Sequence, residues 1–489
     1  MLRSRLHSIW TACACGGMGR AVRGGAALIL LGGLTGCGTF SHYPAGMEST
    51  TLGRLRRGES TGYERTFGRR LEGRDGELFA MEMGRAAQLA GAPEKSRRTF
   101  DVAIERWEKR DDKAVVSVSG AGAQAGAVLV NDKAIPYRAA SFERTLVHHY
   151  QMLNYLAMND LTGAGVEVRR ANLVQEAARK RREREIERAE ASSAKETRGT
   201  EDDKHLAGVY AGLNERAGTV KHSFQNAATL YLSGVIWEMM GEPNDAYIDY
   251  KKAIEIYPDN IYLQFDVLRI GRRLGMREDV ADFERRFPEA AKVGMPKPNA
   301  ARLVVIYEEG LAPQKTDLTV AYPLTSADSI GVVSLPVYAE SFPSPTPARV
   351  ALDGRPLGQT MPLCNVGALA ARALAEQMPG IVTRQVARAV AKGVAAKAAK
   401  DSDNSLVEVG VMFYTLFSEQ ADLRSWLTLP AHIHVSSAWV APGEGRVTLS
   451  GPGGHEFWRG DVTLTAGQTT LVVVSRIDLA VYSMVCVQP

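Results

Sequence analysis

His432 and His434 are the residues whose spacing most suggests chemistry, because an H-x-H pair can bind a metal ion. They lie two apart in an alternating segment, so both side chains point to one face of a predicted strand. The spacing fixes no third ligand, although His455 follows in the same region. We therefore expect core or surface histidines and no metal site.

Other catalytic patterns are missing from the sequence. His148 and His149 are adjacent on a predicted helix and face different directions. No G-x-S-x-G, H-E-x-x-H or Walker sequence is present, and the small-residue loop or strand pair at 115–135 lacks the residues of a phosphate cradle. Glu308 and Glu309 end a predicted strand and indicate a turn. We predict a protein that is not an enzyme, with no catalytic residue, cofactor or metal.

Cys37 is the cysteine with the clearest predicted chemistry. Residues 1–36 contain four arginines and no acid, then the apolar run 26–31 and Leu34-Thr35-Gly36-Cys37. This order is typical of a secretory signal, since the apolar run is too short to cross a bilayer. The end of the signal resembles a bacterial lipobox, which implies that the Cys37 thiol is acylated, as with palmitate, and that the chain is cut before it. An ordinary signal peptide with an incidental cysteine is the alternative.

Three further expectations follow from this signal. Gly38 stands where lipoproteins retained at the inner membrane usually carry Asp, so the resemblance implies an outer-membrane protein facing the periplasm. The formal charge of +4 falls to 4 − 4 = 0 without residues 1–36, so no attraction to nucleic acid is expected. Translation starts at Met1 or at Met18, which already has a complete signal after it.

Cys364 and Cys486 are the other cysteines downstream of the signal. An oxidising periplasm permits a disulfide between them, which would close a long loop. Two separate buried thiols are an equally good interpretation, because free cysteine packs as a small hydrophobe.

The segment 227–260 contains the clearest structural unit. Two helical patterns are separated by a Gly-Glu-Pro turn, with small residues where the helices would touch and large ones beside them. This pattern resembles the tetratricopeptide (TPR) repeat of about 34 residues. The positions that carry it are Gly234, Trp237, Gly241, Ala246, Tyr250, Ala253 and Pro258.

Degenerate copies of this unit extend the helical region to 77–290. The segments 77–110 and 141–172 match its offsets, and 260–287 indicates one capping helix pair. Glu and Arg alternate at spacings of three and four after residue 168, which predicts a solvated projecting helix; a partner-binding arm is the alternative. The segment 37–76, rich in Gly, Ser, Thr and Arg, is predicted to be a flexible tether.

The period becomes alternating beyond 300, which predicts a β-rich domain over 300–489 with a sandwich-like end. One helical segment interrupts it at 366–400, and we expect a break near Pro379. The Val/Ala face of its second part, residues 381–400, should pack on the sheet rather than on a membrane surface, since aromatic residues are absent. The predicted fold class is α+β, with a TPR-like repeat domain followed by the β-rich domain.

Several stretches together resemble a largely uncharacterised family of bacterial outer-membrane lipoproteins. They are FERTLVHHYQMLNYLAMNDLTGAGVEVRRAN, NDAYIDYKKAIEIYPDN, VVIYEEGLAPQKTDLTVAYPL and ADLRSWLTLPAHI. The resemblance implies a setting in cell-envelope assembly, beside curli-secretion relatives and lipoprotein activators of peptidoglycan synthases.

Two functions are compatible with these features. A scaffold would bind another envelope protein or lipoprotein in the concave groove of its repeats. Alternatively, the β-rich domain would bind peptidoglycan or polysaccharide through Trp426, Trp439 and Trp458, although such aromatic residues more often pack in a core.

Overall fold

The computed structural model describes residues 43–116, 132–193, 212–324, 329–338, 341–400 and 420–488. The signal peptide, Cys37 and most of the small-residue segment at 115–135 lie outside these residues, as does the stretch 401–419 of the predicted β-rich domain. The fold class is α+β, as predicted. A layer of helices covers one face of a five-stranded sheet, and a four-stranded sheet covers the other.

The helical layer consists of hairpins, each made of two antiparallel helices. Their members are α1 Gly76–Leu89 with α2 Pro93–Val116, α3 Ser141–Ala157 with α4 Leu161–Ser193, α5 Ala227–Met239 with α6 Pro243–Ile256, and α7 Ile261–Leu274 with α8 Arg277–Arg286. A short helix, Pro288–Ala291, follows.

Close approach of α5 and α6 confirms the helix pair predicted for 227–260. A Cβ placed on Gly234 would lie 2.4 Å from the ring of Tyr250, so only glycine leaves room for that ring. The first hairpin repeats this arrangement, since a Cβ on Gly84 would lie 2.6 Å from the ring of Phe100. Gly241 has a φ of 76°, which ends α5 with a residue in the left-handed region.

The other predicted packing residues of this hairpin behave as expected. Ala246 and Ala253 are fully buried in the hairpin. The indole of Trp237 is buried and its Nε1 donates a hydrogen bond of 3.0 Å to Asp249. Pro258 is exposed just after α6, where it prevents the helix from continuing.

The turns of the other hairpins keep the same backbone geometry. Gly91, Asn159 and Gly275 all have positive φ values of 60–72°. Gly275 follows Gly241 by 34 residues, so the helix pair predicted at 260–287 has the repeat period. In the long helix α4, residues 183–187 are exposed, as predicted for a solvated helix.

The segment predicted to be a tether is folded from its seventh residue onward. It contains the helices Tyr43–Met47, Gly53–Arg56 and Tyr63–Phe67, with a π-helical turn at Glu48–Leu52 and a 3₁₀ turn at Gly68–Arg70. Its apolar side chains explain the difference, since they are sparse in sequence yet bury almost completely against the body: Met47, Leu52, Leu55 and Phe67. Its composition is that of a linker, but these few contacts suffice to hold it in place.

Eleven strands follow the helical hairpins in the described residues, and one further helix lies between the sixth and seventh of them. They are β1 Ala301–Glu309, β2 Thr316–Leu324, β3 Ser329–Val337, β4 Arg349–Leu352, β5 Arg355–Gln359, β6 Met361–Asn365, β7 His432–Val440, β8 Gly443–Ser450, β9 Glu456–Leu464, β10 Thr469–Ile477 and β11 Ala480–Val487.

The central sheet has the strand order β11-β10-β1-β7-β6. β1 pairs in parallel with β10 and antiparallel with β7, so a strand from the start of the domain lies between two from its end. The second sheet, β5-β4-β8-β9, packs on the face that carries Leu303, Val305 and Tyr307. β2 and β3 form a separate hairpin. The sandwich therefore draws on the whole β-rich region and not only on its end.

Helix α9, Val366–Lys400, passes through Pro379 without the predicted break. Met378 and Ile381 are buried on either side of the proline, so packing holds the helix together where one backbone hydrogen bond is lost. As expected for the segment 381–400, Val382 and Ala389 are buried in the core, and α9 packs against β3. Among the described residues, no helix has both the length and the apolar character needed to span a bilayer.

Candidate functional site

Arg302 lies at the centre of the contact between the helices and the sheet. It belongs to β1, and its guanidinium reaches Glu238 of α5 at 2.7 Å and Asp266 of α7 at 2.5 Å. Arg269 of α7 binds the same two carboxylates, at 2.7 and 2.8 Å. We call these four residues, with the hydroxyl groups of Tyr231 and Tyr250 that contact Arg302, the Arg302 network.

The Arg302 network is excluded from water. Arg302 is 1% exposed and Asp266 is fully buried. Burial by itself would raise the pKa of Glu238, but the guanidinium groups of Arg302 and Arg269 hold it at about 2. The Glu238 carboxylate is therefore ionised at neutral pH. Its ion pair with Arg302 joins α5 to β1, which is distant from it in sequence.

A second buried ion pair joins the first two hairpins to the same strand. Arg85 of α1 pairs with Glu308 of β1, and Tyr150 of α3 donates a 2.9 Å hydrogen bond to that carboxylate. Glu308 is thus an interior ion-pair residue and not part of a turn as predicted. The neighbouring Glu309 contacts His434 Nε2 at 3.0 Å and His432 Nδ1 at 3.5 Å.

The histidine pair is confirmed as two core residues. His432 and His434 are buried with ring centroids 6.1 Å apart on one face of β7, and burial lowers the pKa of His432. His455 is exposed in the turn before β9. No group of three or more ligating side chains within the described residues could hold a metal ion.

Glu82 completes the inner contacts at the N-terminal end. Its carboxylate accepts hydrogen bonds from Tyr43 Oη at 2.7 Å and from the backbone N–H groups of Leu427 and Thr428 at 2.7 and 3.1 Å. Burial raises the pKa of Glu82 to about 7, against the opposite effect of these donors.

These contacts involve the first helix of every hairpin: α1 through Arg85, α3 through Tyr150, α5 through Glu238 and α7 through Asp266. The first helices form the inner face of the helical layer, and the protein's own sheet covers that face. The concave groove expected from the sequence is therefore not open to a partner at these positions.

An open apolar groove of about 480 Å³ lies at the far end of this layer, between α7, the helix Pro288–Ala291 and β7. We call it the Trp439 groove. Its apolar wall includes Phe265, Ala290 and Trp439, and Ile261 and Val293 at its rim are 53% and 49% exposed. Met295, 51% exposed, lies between two of its lining residues.

Two arginines contact the ring of Trp439 in this groove. It faces Arg302 across the β1–β7 pair, and the guanidinium groups of Arg302 and Arg269 lie 5.7 and 5.1 Å from its ring centroid. The Arg302 network therefore positions the aromatic wall of the groove as well as the two layers.

The other tryptophans proposed to bind sugars are placed differently. Trp426 is 1% exposed and packs edge-on against Phe100 and Tyr150, so it cannot stack on a glycan. Trp458 is half-buried on β9, where its ring lies over Gly460.

Cys364 and Cys486 are two free, buried thiols, so the disulfide weighed in the sequence does not form. They belong to β6 and β11, the opposite edge strands of the central sheet. Four interstrand steps of about 4.8 Å separate those edges, whereas a disulfide needs Cα atoms within about 7 Å.

A smaller polar cavity of about 160 Å³ separates α9 from the base of the β2–β3 hairpin. Tyr137 Oη donates to both carboxylate oxygens of Glu143 at 2.7 Å, and Lys315 donates to the carbonyl of Arg424 at 3.0 Å. Burial lowers the pKa of Lys315 and raises that of Glu143. These groups are partnered by the cavity wall itself and bind the layers together.

Sequence reasoning overlooked the Arg302 network, although one signal was present. Arg302 and Glu308 fall on the same side of the predicted strand as Val304 and Ile306, because alternate residues share a face. A charged residue at each end of an apolar face indicates a buried partner on another element.

No protein-family model matches the chain, and no curated protein matches it. Two crystal structures of MamA are similar to it, each at 12% identity with a TM-score of 0.27. The similar regions cover 49% and 53% of this chain, and 92% and 98% of the MamA chains. Similarity at this level supports no conclusion about function.

Proposed function

We propose that this protein is a lipoprotein anchored in the outer membrane through Cys37, which acts as a protein-interaction scaffold in the periplasm. The observation that carries the proposal is the Trp439 groove, an open apolar surface at the end of helical hairpins whose inner face is already occupied. In this proposal the hairpins are TPR-like units that position the groove, and a partner envelope protein or lipoprotein occupies it.

The chemistry of the groove supports an amphipathic helix of the partner as its occupant. Such a helix places an apolar stripe into a groove and leaves its polar face in water. Ile261 and Val293 offer apolar contact from two sides, while Trp439 provides a large anchor surface. Because the two arginines already fix the Trp439 ring, binding loses little side-chain entropy there.

The test of this proposal is crosslinking and co-purification from gently solubilised envelopes. Ile261→Glu with Val293→Glu places two charges on the apolar rim, and should abolish recovery of a stoichiometric partner that the wild type retains. Leu479→Glu with Val485→Glu is the matched control, because these side chains are 90% and 41% exposed and neither lines the groove. Equal recovery with the groove variant and this control would refute the groove as the docking site.

The anchor has its own test. Cys37→Ser removes the thiol that acylation requires, so the variant should leave the outer-membrane fraction. Mass spectrometry of the wild-type N-terminal peptide should find an acylated Cys37 at the N-terminus. An unmodified Cys37 still joined to Gly36 would overturn the lipoprotein assignment.

Peptidoglycan or polysaccharide is the alternative class of partner. Of the three tryptophans proposed to bind it, Trp439 and Trp458 keep exposed surface. A pull-down with purified sacculi distinguishes glycan binding from the scaffold function. Retention that is lost in Trp458→Ala but kept in the groove variant would support glycan binding.

A further inference from the structure

A basic cleft of about 660 Å³ lies at the N-terminal end of the body. Its walls come from the helix Tyr43–Met47, the turns at 68–75, and the side chains of Phe79 and Arg424. We call it the N-terminal cleft. It lies among elements that the sequence had predicted to be a flexible tether.

The charge in this cleft is strongly one-sided. Arg69, Arg70 and Arg74 are exposed at its rim, and Lys133 lines it as well. Arg424 in its wall is already paired with Asp422 at 2.7 Å and with Asp75 at 2.6 Å. Within the described residues, no carboxylate lies at ion-pair distance from Arg69 or Arg70. The guanidinium of Arg70 is instead 5.1 Å from the centroid of the Phe79 ring.

Asp75 is the one acidic residue among the described residues that line the cleft. Its Oδ1 faces Arg424 at 2.6 Å and also accepts the N–H of Tyr137 at 3.1 Å. Arg74 lies 3.7 Å from the same atom. The carboxylate of Asp75 is therefore directed into the body, and the exposed arginines supply the positive charge of the rim.

The position of the cleft in the chain points to its ligand. Tyr43 lines the cleft and follows Cys37 by six residues. Six fully extended residues span at most about 20 Å. An acyl anchor on Cys37 would therefore keep this basic surface within about 20 Å of the bilayer.

We propose that the N-terminal cleft binds phosphate groups of anionic phospholipid headgroups, and so fixes the orientation of the anchored body against its membrane. This proposal rests on the anchoring proposed above. Arginine suits the role because its planar guanidinium binds phosphate oxygens through two parallel hydrogen bonds. Basic side chains next to a membrane anchor are attracted to anionic lipid in the same way.

The test uses vesicles and a chain that begins at residue 37 with Cys37→Ser, which keeps every described residue and has no acyl group. This chain is formally neutral, so bulk charge supplies no attraction to anionic lipid. It should co-sediment with vesicles of phosphatidylcholine and phosphatidylglycerol at low salt, and not with phosphatidylcholine alone. Binding should weaken strongly as salt rises, because salt screens exposed charges.

The triple variant Arg69→Ala, Arg70→Ala, Arg74→Ala should bind anionic vesicles about a hundredfold more weakly, from about fivefold per arginine. The matched control is Arg181→Ala, Arg184→Ala, Arg273→Ala. It removes three exposed arginines that lie outside the cleft, and so loses the same charge as the cleft variant. The control should bind within about twofold of the unsubstituted chain. Unfolding temperatures of both variants, measured in parallel, report whether each is folded.

Three outcomes would overturn the proposal: equal binding by the two variants, equal binding to neutral vesicles, or binding of inorganic phosphate without binding of vesicles. None of them affects acylation of Cys37 or recovery of a partner through the Trp439 groove. Failure of the cleft is therefore distinguishable from failure of the anchored scaffold.

Discussion

Replacing Arg302 by methionine should destabilise the protein more than any single surface substitution. Methionine keeps much of the length of the side chain but removes a guanidinium that binds Glu238 at 2.7 Å and Asp266 at 2.5 Å. Both carboxylates would remain in the interior with only Arg269 to balance them. The helical layer would also lose its central contact with the sheet.

The expected loss of unfolding free energy is about 3–5 kcal/mol, the usual result of removing one partner from a buried ion pair. Much of this loss is the penalty of leaving charge unbalanced where water cannot reach, since Arg302 is 1% exposed. Arg302→Lys should fall between the methionine variant and the wild type, because an ammonium keeps the charge but cannot bind both carboxylates in a fork.

The pH dependence of stability supplies a second readout. The pKa of Glu238 is held at about 2 in the folded protein, below its ordinary value of about 4.5. A depressed carboxylate pKa stabilises the fold above pH 4.5, and that stabilisation is lost as pH falls from about 4.5 to about 2. In Arg302→Met this acid-induced loss should shrink, because the group that depresses the pKa is gone.

The measurement is urea unfolding at pH 7 and pH 3, followed by tryptophan fluorescence and far-UV circular dichroism. Trp439 faces the substituted position and reports on it directly. Arg446→Met is the matched control, since Arg446 pairs with Asp461 at 2.7 Å with both side chains more than half exposed. Its effect on unfolding should be small, because exposed ion pairs are screened by water and contribute little to stability. Equal losses in the two variants would refute the role assigned to the Arg302 network.

Three other predictions test the interior. Gly234→Ala should lower the free energy of unfolding by about 1–3 kcal/mol, because its Cβ would lie 2.4 Å from the facing tyrosine ring. The control Gly380→Ala, in an exposed turn of α9, should raise the free energy of unfolding by about 0.5–1 kcal/mol. A gain in stability in both variants, measured by urea unfolding, would contradict the packing of α5 on α6. Burial lowers the pKa of His149 to about 4, so stability should fall as pH decreases from 6.5 to 4, because only the unfolded chain takes up a proton there. In His149→Phe the unfolding temperature should depend less on pH over that range. An unchanged pH dependence of the unfolding temperature would contradict this role of His149. Cys364 and Cys486 should react with a thiol reagent as two free thiols only after denaturation, and a chain without free thiols in denaturant would contradict the edge-strand placement.

Local patterns were sufficient to predict the helix pairs and most strands. Small residues beside large ones at helical spacing predicted the close approach of α5 and α6, because that contact lies within one hairpin of the chain. The structure shows that the Tyr250 ring is the group that occupies the space left by Gly234. Glycine at the turn was equally informative, since Gly241 adopts a positive φ that other residues rarely take. Alternation beyond residue 300 predicted the β-rich domain that contains β1, β7 and β10, because side chains on a strand alternate between two faces.

Long-range packing decided what the sequence left open or predicted wrongly. Whether two cysteines can bond depends on which strands lie between them, and the insertion of β1 beside β10 placed Cys364 and Cys486 at opposite edges. Composition made residues 43–76 look like a linker, yet a few apolar side chains such as Leu52 and Phe67 find buried positions on the body. Trp426 is likewise interior only because elements distant in sequence close around it.

The tertiary structure also determines which element covers the inner face of the helices. A helical hairpin specifies which residues face inward, but it does not specify what will cover them. The charges of Arg302 and Glu308 meet their partners only when β1 lies across the first helices of the hairpins. The sequence determined the units and their local geometry, since those depend on neighbours along the chain. Pairing between distant units depends on which buried charges and apolar faces complement each other, and only the tertiary structure decided it.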